Sequence, residues 1–147
     1  MITEDYVSFE TAKLLKEKGF SENTVCKYAD VGGVTEKWYD DYRERVLRFD
    51  WDEGYLIEPL IEPKEQYEII GDTIFAPTLQ MAMKWLREVH TIFIDIMTYT
   101  TGNKIQFRWV GYDKDRLFSQ EEGRTIYFES YEQAVETAIK YTLENLI

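Results

Sequence analysis

Histidine occurs once in this chain, at position 90, and cysteine once, at position 26. A two-histidine or His/Cys metal site would therefore need ligands shared between subunits. His90 ends an apolar helical pattern and precedes a β-rich run, where a cation suits the negative end of a helix. Catalysis by His90 needs a partner acid, base or nucleophile, and no sequence neighbour supplies one. Cys26 has one cationic neighbour, Lys27, on the opposite face of an expected strand, so a buried structural thiol is the expectation. Asp113, Asp115, Glu121 and Glu122 are spaced a little like a calcium loop. The glycine that such a loop needs is missing, and Arg124 stands where its closing glutamate belongs. Gly32-Gly33 lacks the Gly-Lys-Ser/Thr ending and the following helix of a phosphate loop. Any two of the 28 acidic residues can be imagined as an acid and base pair, so pairing carboxylates by sequence selects nothing. No cofactor-binding pattern and no metal-ligand set emerges. Trp38, Trp51, Trp85 and Trp109 can stack on bases or sugars, but core packing is their default role.

The charge balance says more. The chain has 147 residues, 28 acidic and 17 basic, for a net charge of −11. Binders of nucleic acid and of anionic membranes present basic surfaces, so this balance counts against both. An acidic surface can meet a basic protein, or simply keep the chain soluble. Positions 40 to 72 hold 11 acidic and 4 basic residues, which is seven of the eleven net charges. Asp40, Asp41, Glu44, Asp50, Asp52 and Glu53 are the candidate interaction residues. One specific form of the idea is an acidic decoy that mimics nucleic acid and blocks a basic cleft.

These residues must be carried by a small set of elements. The clearest is a helix from Pro77 or Thr78 to His90, with Leu79, Ala82, Met83, Leu86 and Val89 on one apolar stripe, widened by Met81 and Trp85. Ser8 caps a first helix over 9–18, and Gly19 ends it in a way that lets Phe20 fold back on Leu15. Strands at 24–29 and 34–39 form a hairpin about Gly32-Gly33. The 46–51 stretch reads as a strand, although Trp38, Tyr42, Val46 and Phe49 also fit a helical face. Pro59 and Pro63 make 56–65 a loop or an edge, and 67–75 reads as a strand. Strands at 91–99 and 104–110 flank Thr100-Thr101-Gly102-Asn103 as a second hairpin. A loop follows at 111–124, then a short strand at 125–128. Ser130 and Gln133 form a capping box for a last helix, striped with Ala134, Val135, Ala138, Tyr141, Thr142 and Leu146.

The central segment, Ala76-Pro77-Thr78-Leu79-Gln80-Met81-Ala82-Met83-Lys84-Trp85-Leu86-Arg87-Glu88, resembles a motif in small uncharacterised proteins of Bacteroidetes phages, prophages and mobile elements. Lys18-Gly19-Phe20 and Ser130-Tyr131-Glu132-Gln133-Ala134 resemble the flanks of those proteins. The resemblance covers about two-thirds of the chain and departs from it over 40–72. It implies a phage-related bacterial context and brings no active site.

The expectation is one α+β domain over 1–147: an antiparallel β-sheet built from hairpins, with about three helices packed on one face. No stretch reads as a signal peptide or approaches the ~20 apolar residues of a membrane helix, and a lone cysteine suits a reducing cytoplasm. The leading functional expectation is a non-enzymatic protein that meets a basic protein partner. The alternatives are a small enzyme using a carboxylate and His90, and a homo-oligomer joined by a sheet edge or a tryptophan-rich surface.

Overall fold

The computed structural model describes residues 5–22, 24, 26–32, 46–50, 55–58, 68–119 and 125–147. The chain is α+β, and every strand pair among the described residues is antiparallel. It forms two compact units, one of Ser8–Pro77 and one of Met1–Val7 with Thr78–Ile147. The described strands divide accordingly into two sheets, of four and three strands.

In the Ser8–Pro77 unit, α1 (Phe9–Glu17) starts where expected. Ser8 Oγ accepts from the Thr11 N–H, which satisfies one of the free donors of the first turn. Gly19 takes φ +96°, a region that costs a side-chain-bearing residue dearly. There the N–H of Phe20 donates to the Leu15 carbonyl (2.9 Å) and that of Gly19 to Lys16 (3.2 Å), the paired bonds of a Schellman ending. Leu15 and Phe20 are both buried. The sheet runs β3-β2-β1-β4, from β1 (Cys26–Gly32), β2 (Val46–Asp50), β3 (Tyr55–Glu58) and β4 (Glu68–Phe75). The alternating reading of 46–51 thus holds over Val46–Asp50, and β3 is the edge expected before Pro59. Gly32 is not a turn residue. It ends β1, opposite Glu68, and β1 pairs with β2 and β4. The return strand expected at 34–39 lies outside the described residues. Phe9 of α1 meets Tyr28 of β1 edge to face at 5.4 Å.

In the second unit, α2 (Leu79–His90) is capped by Thr78, whose Oγ1 accepts from the Met81 N–H at 3.1 Å. The N-terminal segment is tied to this cap: the Leu79 N–H donates to the Asp5 carbonyl, and Tyr6 bridges Thr78. Leu79, Ala82, Met83, Trp85 and Leu86 are buried. Val89 is not: it is 58% exposed. Met81 is exposed as well.

The sheet of this unit runs β5-β6-β7, from β5 (Phe93–Thr101), β6 (Lys104–Tyr112) and β7 (Leu117–Phe118). Thr101 pairs with Lys104 across the two-residue loop Gly102-Asn103, and Gly102 takes φ +63°. Glycine at the first loop position with positive φ is the II′ hairpin pattern, whose twist matches the strands. The hairpin is therefore tighter and longer than expected. Thr91 and Ile92 belong to the helix exit, and Gly111 and Tyr112 belong to β6. The third strand is also misplaced by sequence reading. It is Leu117–Phe118, while Phe128 makes only an isolated bridge to Phe107. The last helix, α3 (Tyr131–Asn145), is capped by Ser130, whose Oγ accepts from the Gln133 N–H. It packs on β5 and β6, with Tyr131 against Phe107 and Tyr141 against Trp109. Ala134, Val135, Ala138, Ile139, Thr142 and Leu143 form its buried face. Among the described residues, no helix is long and apolar enough to cross a membrane.

Candidate functional site

His90 falls eleven residues after Leu79, three turns further along α2. At 3.6 residues per turn it returns to the buried face. The imidazole meets Trp85 edge to face at 4.7 Å. Its Nε2 is shielded from solvent and has no hydrogen-bond partner among the described residues. The chain then leaves the helix abruptly. Thr91 adopts φ 57°, ψ 38°, a left-handed conformation that β-branched residues rarely accept. In return, the N–H groups of both Thr91 and Ile92 reach the Leu86 carbonyl.

This exit forms one wall of a hollow of about 270 Å³. Its lining is His90, Thr91, Ile92, the turn Asp113–Arg116 and Leu146. The turn joins β6 to β7 and is built by Asp113. Asp113 Oδ1 accepts from the N–H groups of Asp115 (2.8 Å) and Arg116 (2.9 Å), and the Asp113 N–H donates to the Arg116 carbonyl. Arg116 Nε lies 3.5 Å from Asp113 Oδ2. Those amide bonds, first that of Asp115, hold the Asp113 carboxyl below its ordinary pKa against a smaller opposing effect of burial, and the Arg116 guanidinium adds to them. Asp113 is thus an ionised turn anchor, and the 111–124 loop contains an ordered turn and a strand. The hollow gathers His90 with Asp113 and Asp115, but no hydrogen bond joins the imidazole to either carboxylate among the described residues. Nor do the described residues hold a cluster of three or more His, Cys, Asp or Glu side chains arranged for a metal.

The six candidate acids fare differently. Asp50 closes β2, opposite Tyr55 of β3. Asp40, Asp41, Glu44, Asp52 and Glu53 lie outside the described residues, as do Glu121 and Glu122. Cys26 opens β1 opposite Arg48, and its side chain is likewise outside them.

One surface feature escaped sequence reading. Phe93, Tyr112 and Leu117 stand side by side across the three strands, and they are 46%, 36% and 60% exposed. The signal was the alternation itself: Tyr112 follows Trp109 by three, so it faces away from α3. No protein-family model, curated protein or solved structure matches the chain.

Proposed function

We propose that this is a non-enzymatic accessory protein of a bacterial phage or mobile element, acting in the cytoplasm by holding a basic protein against its acidic surface. The observation that carries the reading is the charge distribution: seven of the eleven net negative charges fall within 40–72. Asp50, on β2, belongs to this group and stands on a framework strand. The resemblance of the central segment to phage and mobile-element proteins supplies the context.

The test is capture from bacterial lysate by the intact protein, at low and high salt. It is run beside a variant carrying lysine at Asp40, Asp41, Glu44, Asp50, Asp52 and Glu53. The expected result is a basic partner that is held at low salt, released at high salt and lost in the variant, because exposed charges are screened within about 10 Å at 0.1 M salt. Capture that is equally strong in the variant overturns the reading.

The hollow beside His90 favours a second reading, a small-molecule site using His90 and the Asp113–Arg116 turn. A compound that shifts the His90 ring resonances in NMR, and fails to bind His90→Phe, would support it. A metabolite panel that leaves those resonances unmoved would count against it.

A further inference from the structure

Strand β5 is nine residues long and forms the outer strand of its sheet. One edge pairs with β6 in unbroken register from Phe93↔Tyr112 to Thr101↔Lys104. Among the described residues, nothing hydrogen-bonds to the other edge. No residue of β5 is buried, whereas Trp109, Val110 and Gly111 of β6 are. Natural sheets protect such edges with charged side chains, lysine above all, or with proline, a bulge or a very short strand. Of these β5 has only a single acid: it has no lysine, no proline and no register shift. It carries one charge, Asp95, in a chain where acids are abundant.

We propose that the free edge of β5 pairs antiparallel with β5 of a second copy of this chain, making a symmetric dimer with a continuous six-stranded sheet. The edge itself indicates the occupant. Its unpaired amides and carbonyls call for an extended backbone, and its scarcity of charge calls for a neutral, β-forming strand. The sequence Phe-Ile-Asp-Ile-Met-Thr-Tyr-Thr-Thr is such a strand. Pairing about a two-fold axis at Met97 uses all nine residues. It sets Phe93 opposite Thr101 and Asp95 opposite the neutral Tyr99. A slip of two residues toward Phe93 in each copy sets the two Asp95 side chains against each other, which is destabilising. One carboxylate therefore disfavours that slipped register.

Sedimentation velocity on the full chain, over a concentration series at low and high salt, tests this. The dimer is expected to strengthen with salt, because two chains of charge −11 repel each other. Binding to a basic partner changes with salt in the opposite direction, so the two ideas fail separately. Tyr99→Lys faces Asp95 of the other copy with a cation, and Tyr99→Glu faces it with an anion. Both lose the same Tyr99–Tyr127 ring contact. With two such pairs in a dimer, the two variants should differ in dimer Kd by roughly 2- to 30-fold at high salt. The exposed Thr125 supplies the control: Thr125→Lys and Thr125→Glu make the same +1 and −1 changes in net charge as the Tyr99 pair and should not differ from each other at high salt. Hydrogen exchange of unmodified protein should show β5 amides slowing as concentration rises. A monomer at every concentration and salt, an equal split at Thr125, no split at Tyr99, or β5 exchange independent of concentration overturns the proposal.

Discussion

Gly111 of β6 lies directly beneath the ring of Phe118 on β7: a Cβ added at Gly111 would overlap Cε2 and Cζ of that ring. The two residues are also register partners. Phe118 reaches across the missing side chain towards Trp109, 6.3 Å away between ring centres. The glycine makes room for the aromatic that closes β7 onto the sheet.

Gly111→Ala should therefore destabilise the protein by about 1–3 kcal/mol, the usual cost of overpacking. Gly111→Ala combined with Phe118→Leu should recover part of that loss. A double-mutant cycle by urea denaturation checks it, and additive effects would show that the contact is not the cause.

Thr91 holds a left-handed conformation without glycine's freedom. Thr91→Gly should raise stability by up to about 1 kcal/mol, since the left-handed region costs other residues roughly 1–2 kcal/mol. The gain is partly offset by the greater entropy of glycine in the unfolded chain. A fall in thermal midpoint would contradict the conformational argument.

Burying Nε2 of His90, which has no hydrogen-bond partner among the described residues, opposes folding. His90→Phe keeps the ring edge on Trp85 and removes the buried nitrogen. It should leave stability unchanged or raise it by about 1 kcal/mol. A loss of several kcal/mol would mean that the imidazole nitrogens hold a bond essential to the fold.

The Asp113 carboxyl is held below its ordinary pKa of 3.8 by the turn amides and Arg116. A carboxyl lowered in the folded state stabilises it above the unfolded pKa, and that contribution is lost as pH falls towards the folded value. Asp113→Asn keeps an oxygen for the turn and removes the titration. The variant should be less stable than the parent at neutral pH, and the gap should close as acid approaches and passes the aspartate range. A gap independent of pH would show that the carboxylate charge plays no part.

Much of this architecture is local, and local features are legible in sequence. Ser8, Thr78 and Ser130 cap the three described helices because a side-chain oxygen reaches an amide three positions on, whatever the rest of the chain does. Gly19 and Gly102 take their turns because their own backbone permits it. Ala76–Glu88, Lys18-Gly19-Phe20 and Ser130–Ala134 fall on such caps and on the packed face of α2.

The sequence by itself determined the α+β class, the helix starts, the second hairpin and the acidic character. Each follows from spacings of a few residues or from composition. Tertiary structure alone decided which strands flank β1 and that Val89 is bare while His90 turns inward. It also set Gly111 beneath Phe118 and left β5 with a free edge. These outcomes depend on contacts between residues far apart in the chain, where the partner available in space outweighs the preference of the residue itself.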